Sequence, residues 1–349
     1  MPVITSSNAQ QELKSIIALA ETYNKITGPS TFGTIYYYPD KSTMINLFAE
    51  SANRYARELT LIVSSRPRTQ GTLIYGGKVS YLKYPFERFY GFGPDTPKSA
   101  ETAFVSRSVS NSADLGYNLT DSLAAIYQFR VNRFKLLPSA IPVVADTQTV
   151  FAGNPEVVNS TNFVHRMKLV YDTHADHNFS ERGERLSFAY LGSLKSLGSD
   201  FTFHGYDLQG KITRSQLEGK YTTVLIGILD QRFGRDIPFY LQSFLGGADT
   251  LRAFKERRFT ARHRINFDVE ERIELARKNI CKTDVAFSID PFFSMGQVFE
   301  QFSDVDFSSF RMVGGVGLRA KAKPSVIGRL DLGIGKEGVQ AYATIDYPF

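Results

Sequence analysis

The residues best suited to chemistry lie in one basic run. Between positions 234 and 260 the chain carries Arg252, Lys255, Arg257 and Arg258. A guanidinium confined away from bulk water demands a carboxylate, and its planar fork favours bidentate pairing. The nearest candidates are Asp268 and Glu270. They share one face of the segment 264–277 with Asn266 and Arg272, opposite Ile265, Phe267 and Val269. On residue types alone the run reads as a solvated basic loop. A second cluster, Asp172, His174, Asp176 and His177, has metal-binding residue types. Turn chemistry explains Asp there equally well, and His165, His204 and His263 are scattered, so no metal is expected. No nucleophile elbow, P-loop or dinucleotide fingerprint occurs. The chain is therefore expected to be no enzyme and to need no cofactor.

The elements that position these residues are strands. After Gly28-Pro29 the hydrophobic pattern alternates with a period of two. Candidate strands fall at about 32–39, 43–51, 56–65, 71–84, 102–117, 121–134, 161–173, 184–194, 199–212, 220–233, 264–277, 284–300, 310–322, 326–336 and 338–349, fifteen in all. Residues 9–26 read instead as an amphipathic helix, with Leu13, Ile16, Ile17 and Ala20 at three- and four-residue spacing. The expected domains are an N-terminal helix or linker over 1–30 and one barrel over 31–349. Many segments reach ten residues or more, against about 5–6 for an average soluble strand. Crossing a membrane at a tilt takes about 9–11. Such a sheet must close, because lipid offers no partner to an open edge.

Composition agrees without deciding. No window approaches the ~18 apolar residues of a membrane-spanning helix, and the mean hydropathy of -0.20 suits strands with a polar face. One cysteine, Cys281, excludes an internal disulfide and a thiolate cluster,. The net charge of +6 is spread along the strands, so no nucleic-acid partner is expected,. Met1 to Gln10 lacks the apolar core of a secretory leader, and the numbering is taken as that of a processed or recombinant chain,.

The last strand shows the alternation best. Val339, Ala341, Ala343, Ile345, Tyr347 and Phe349 point one way, and Gln340, Tyr342, Thr344, Asp346 and Pro348 the other. One face is apolar and ends in aromatics, as a lipid face meeting an interfacial girdle should.

Five segments, in consistent order over about residues 70–349, resemble the BamA/TamA family of outer-membrane assembly factors. They are Arg88-Phe89-Tyr90-Gly91-Phe92-Gly93-Pro94-Asp95-Thr96, Tyr171-Asp172-Thr173 with Gly183, and Pro238-Phe239-Tyr240 followed by Leu245-Gly246-Gly247 and Leu251-Arg252-Ala253-Phe254. The others are Pro291 to Phe299, then Gly314 to Arg319 with the terminal Ile345 to Phe349. The resemblance implies an all-β, membrane-spanning antiparallel barrel of sixteen strands whose long loop folds inward. It implies that Arg252 meets acidic groups on the wall, with Asp268 and Glu270 as candidates. Two positions depart from the family pattern: Ala253 stands where a Gly is usual, disfavouring a turn of positive φ, and Ser294 stands where an Asp is usual. A more loosely held loop is expected. The resemblance does not extend to periplasmic βααβ repeats.

The function this implies is insertion or translocation of proteins through a seam between a first strand near 32–50 and the last strand, at a bacterial or, second, an organellar outer membrane. Gly338 and Pro348 would weaken the seam, since proline donates no hydrogen bond. Expected partners are outer-membrane lipids, unfolded membrane proteins and accessory subunits. The rival is a passive barrel: a pore, a lipid-handling channel or the anchor of a complex.

Overall fold

The computed structural model describes residues 15–24, 28–40, 42–52, 56–139, 144–174, 182–280, 283–322 and 325–344. Among the described residues sixteen long strands follow one another as an antiparallel meander. They are β1 (Ser15–Asn24), β2 (Gly28–Tyr37), β3 (Thr43–Ala52), β4 (Ala56–Ser65), β5 (Leu73–Phe89), β6 (Thr102–Asn118), β7 (Leu123–Leu137) and β8 (Asn159–Asp172). The second half comprises β9 (Arg182–Ser193), β10 (Phe203–Gln216), β11 (Tyr221–Phe233), β12 (His263–Ile280), β13 (Thr283–Phe299), β14 (Arg311–Ala322), β15 (Ser325–Gly335) and β16 (Gly338–Thr344). A residue-by-residue register joins each strand to the next. The fold is a transmembrane antiparallel barrel of sixteen strands.

Alternation decides which side each residue faces. On β12, Asn266, Asp268, Glu270 and Arg272 are buried in the lumen, whereas Phe267 and Val269 are each 43% exposed on the outer surface. Burial on β16 alternates in the same sense: Val339, Ala341 and Ala343 are exposed, and Gln340, Tyr342 and Thr344 half-buried. Ile345, Tyr347, Pro348 and Phe349 lie outside the described residues. So do Cys281, Asp176 and His177.

One element differs in kind from expectation. Ser15–Asn24 is a strand, paired with β2 from Ser15↔Tyr37 to Asn24↔Gly28; positions 9–14 and 25–26 of the expected helix fall outside the described residues. The run Ile16 to Ala20 is apolar throughout, so periods of 3.6 and two both fit it, and the unpaired edge of β2 settles the choice. The correction adds the sixteenth strand and extends the sheet N-terminally beyond residue 31. Among the described residues the sheet's first member is thus β1 rather than a strand near 32–50.

The two ends of the barrel differ. Short connections, such as those between β6 and β7, β12 and β13, and β14 and β15, gather at one end. The long segments 90–101, 144–158, 234–262 and 300–310 gather at the other. There Phe89, Phe104, Phe134, Leu191, Phe203, Ile237 and Phe239 form an apolar cluster against the 147–158 helical turns.

Candidate functional site: an inserted arginine loop

The 234–262 segment turns back into the lumen. A short ladder, Ser243–Leu245 against Phe259–Ala261, stiffens its stem. Gly246 and Gly247 open the tip at φ +106° and +105°, where a side chain would be strained,. A Cβ at Gly246 would also stand 2.3 Å from the Lys255 carbonyl oxygen. The Gly247 N–H donates to the Phe254 carbonyl at 3.0 Å, and the Gly246 N–H donates to the Thr250 hydroxyl at 2.9 Å. Leu251 and Phe254 are buried beside Leu245, Phe259, Phe292 and Val313. Ala253 has no positive φ; among the described non-glycine residues only Leu217, Glu218, Asp236 and Arg257 do. The tip turns without a glycine at position 253, so Ala there is not strained.

Arg252 is fully buried. Its Nη1 donates to Glu270 Oε2 at 2.9 Å and lies 3.6 Å from Asp331 Oδ1. The guanidinium stacks 3.4 Å from the Phe292 ring centroid, a cation–π contact between buried groups,. Glu270 also pairs with Arg272 at 3.0 Å and Arg319 at 3.5 Å. Asp331 meets Arg319 at 2.8 Å and Arg329 at 2.5 Å, and Arg319 lies 3.4 Å from Asp290. Counting Asp268, three arginines and four carboxylates of the β12–β15 wall thus form one buried layer with Arg252 of the loop. Buried ions endure only when paired and hydrogen-bonded, and here each arginine bridges carboxylates or lies against one. Asp268 is buried one pleat from Glu270 and accepts from the Asn266 amide. Ser294 is buried opposite it, in register with Asp268.

Small residues on the wall admit the loop. A Cβ on Gly333 would meet the Arg252 carbonyl oxygen at 2.4 Å, and one on Gly315 would meet the Phe292 ring at 2.3 Å. The loop backbone can lie against β15 only because Gly333 lacks a side chain, while Gly315 on β14 leaves room for the Phe292 ring beneath Arg252,.

Further ties spread across the lumen. Arg258 donates to Glu337, between β15 and β16, at 2.7 Å and to the Thr96 carbonyl at 2.7 Å. Its guanidinium also lies 4.6 Å from the Tyr90 ring centroid. Lys255 reaches Glu101 at 3.2 Å, and Arg257 reaches Glu87 at 3.5 Å. On the opposite side the Tyr342 hydroxyl of β16 donates to the Phe254 carbonyl at 2.6 Å. The 90–101 loop docks on the same stem, where the Gly93 N–H donates to the Thr260 carbonyl at 2.8 Å. Gly338, at φ +113°, opens β16 in register with Gly335.

The Asp/His cluster resolves differently. His174 holds Asp172 through Nδ1 at 2.8 Å and the Thr213 hydroxyl through Nε2 at 3.0 Å, tying the β8 end to β10. Among the described residues no group of metal-ligand type assembles.

The motif reading passed over Asp290, Arg329, Asp331 and the clasp Arg258–Glu337. A signal existed for the first three: Arg329 and Asp331 alternate at period two with Gly333, and Asp290 with Ser288 and Ser294, along strands whose other face is largely apolar. The clasp joins residues 79 apart in sequence, and no local pattern marks it.

A barrel of this strand number, with an arginine loop buried against a charged wall, defines the class of outer-membrane assembly and transport barrels. The chain belongs to the Omp85 superfamily: the Omp85 superfamily domain matches residues 47–340. By sequence, no curated protein matches it. Among solved structures it is similar to BamA from Haemophilus ducreyi lacking POTRA domains 1–3, with TM-score 0.59 and 15% identity over 96% of this chain and 69% of that one. It is also similar to CdiB from Escherichia coli, with TM-score 0.64 and 11% identity over 97% of this chain and 62% of that one. CdiB from Acinetobacter baumannii gives TM-score 0.56 and 11% identity over 95% of this chain and 59% of that one. At these identities the likeness is one of fold. The chain thus spans less than two thirds of either CdiB.

Proposed function

We infer that this barrel inserts or translocates other proteins at a bacterial outer membrane, with the boundary between β1 and β16 as the place where substrate strands join. The observation that carries the reading is the clasp of the inserted loop on the last hairpin: Arg258 on Glu337 and the Phe254 carbonyl on Tyr342. A loop that grips the sheet's last strands is placed to govern whether their edge opens. An opened edge in lipid must be paired, because unpaired N–H and C=O groups there find no water. An unfolded substrate strand supplies that pairing by β-augmentation. No covalent step is involved, so no catalytic residue or cofactor is invoked. Partners in this reading are unfolded outer-membrane proteins and accessory subunits that deliver them.

The test is a reversible lock. In a Cys281→Ser background, one cysteine on β1 and one on β16 are oxidised to a disulfide in the purified, reconstituted barrel. Folding of a urea-denatured β-barrel substrate into the same vesicles is followed by its heat-modifiable gel mobility. The locked form is expected to lose substrate folding, and reductant to restore it. Undiminished folding with the seam locked overturns the proposal and returns the passive barrel of the rival reading.

A further inference from the structure

One feature of the outer surface is unrelated to the loop. Strand register aligns Arg57 with Lys83, Lys83 with Arg107, and Arg107 with Lys135. These side chains therefore form a single lateral row across β4, β5, β6 and β7. The odd-numbered positions here face outward, as the exposure of Leu59 (54%), Val79 (58%) and Leu115 (60%) shows. Arg133 lies one pleat away on the same face, in register with Val109. The outward positions of β4, β6, β7 and β8, and of β5 up to Lys83, include no Asp or Glu.

The level of the row follows from strand geometry. On β6 the outward Tyr117 and Arg107 are ten residues apart. At ~3.4 Å per residue and a tilt of ~40°, this is roughly 26 Å along the membrane normal. The apolar band of such barrels is about 25 Å tall. Tyr117, with Tyr75 and Tyr127 nearby, marks the interface at the short-turn end. Arg107 thus lies at headgroup depth at the long-loop end, and with the strand tilt its neighbours in the row step by roughly 3 Å per strand along the membrane normal.

Cations at an interface commonly anchor a barrel, and for that purpose they can be staggered. Four like charges in direct cross-strand register repel one another. Such a row gains from an anion that spans neighbouring strands about 4.8 Å apart, as a phosphate with several acceptor oxygens does. On the other side of the barrel, the outward residues toward the long-loop end of β9, β14, β15 and β16 include Tyr190, Met312, Ile334 and Val339, which are apolar or aromatic. The basic row is confined to one sector.

We propose that Arg57, Lys83, Arg107 and Lys135 form a headgroup site for a phosphate-bearing lipid in the leaflet at the long-loop end. The inference needs the barrel in its membrane and does not rest on the insertion activity. The site takes a lipid with more than one phosphate in preference to one with a single phosphate, because the row offers several cations side by side.

Native mass spectrometry of the purified full chain tests this in micelles doped with a synthetic diphosphorylated glycolipid, phosphatidylglycerol or phosphatidylcholine. Retention of the diphosphorylated lipid is expected to exceed that of phosphatidylcholine at least tenfold. The R57Q/K83Q/R107Q/K135Q variant should lose that preference, and R107Q/K135Q should lose most of it. R182Q/R214Q, which removes outward cations at the short-turn end, should keep it. Heat-modifiable mobility verifies that each variant is a folded barrel. Equal retention by the quadruple variant, no preference in the parent chain, or loss of preference in R182Q/R214Q overturns the proposal. Displacement by inorganic phosphate at matched phosphate concentration, or stronger binding of heparin than of lipid, overturns the lipid assignment.

Discussion

Arg252 ties the inserted loop to the buried charged layer, and replacing it exposes what it balances. Arg252→Ala leaves Glu270 and Asp331 buried with one cation fewer and removes the stack on Phe292. Breaking a buried pair on one side costs about 3–5 kcal/mol. The low end, about 3 kcal/mol, is expected here because Glu270 keeps Arg272 and Arg319,. Urea unfolding of the reconstituted barrel measures it, and Arg252→Lys should recover only part, since an ammonium lacks the fork. Glu256 adds a pH dependence to the same loop. Burial inside the barrel pushes its carboxyl up from 4.5 to about 7; Asp249 and Glu87 act in the same direction, and Arg257 opposes them. The docked loop therefore binds a proton more readily than a released one. Docking is favoured at low pH and weakens as pH rises from about 4.5 through about 7,. The carboxyl opens onto a lumenal cavity of about 420 Å³, and water there keeps the effect modest,. Amide exchange of residues 246–258, corrected for intrinsic rate, should show more protection at pH 5 than at pH 8, and Glu256→Gln should flatten the difference.

At the scale of elements the loop and the wall were shaped together. Gly333→Ala sets a Cβ against the Arg252 backbone, which cannot move without dragging the buried layer. The loop should be driven outward while the strands persist. In planar bilayers that variant is expected to conduct ions where the parent chain is largely closed, and an unchanged conductance would argue against a sealing loop. A complementary lock is available, since a Cβ at Gly335 would lie 3.0 Å from that of Ala253. Disulfides place these atoms about 3.5–4.5 Å apart, so a shift of a few tenths of an ångström would join A253C to G335C. If the loop must leave during substrate folding, this lock stops it and reductant restores it; full activity while oxidised means the loop stays seated throughout. Much of this was legible in sequence. Ala56–Ser65 falls where alternation placed it, and the lumenal face of β12 carries the four residues assigned to it. Ser15–Asn24 was not legible, because five consecutive apolar residues satisfy a helix as readily as a strand and only the pairing with β2 decides. The carboxylates on β13 and β15 escaped notice because an isolated Asp in a strand resembles any polar lumen position until a second strand brings an arginine to it.

On the scale of the whole molecule, the inserted loop makes the two halves of the sheet interdependent. Through Arg257 and Lys255 it holds Glu87 and Glu101 at β5 and the β5–β6 loop; through Arg258 and the Phe254 carbonyl it holds Glu337 and Tyr342 at the last hairpin. Between these anchors lie β1 to β4. Removing the clasp with Glu337→Gln should leave most of the barrel as protected in amide exchange as before and loosen β16 selectively. Uniform loosening would mean that the contact serves general stability instead. The contact Arg258–Glu337 has a thermodynamic corollary. Whatever pries the loop from the lumen also weakens the hold on β16, and by reciprocity anything that captures the β16 edge lowers the work of unseating the loop. A substrate strand and a ligand entering the lumen would then each raise the other's affinity, although they would touch the barrel on opposite faces of its wall.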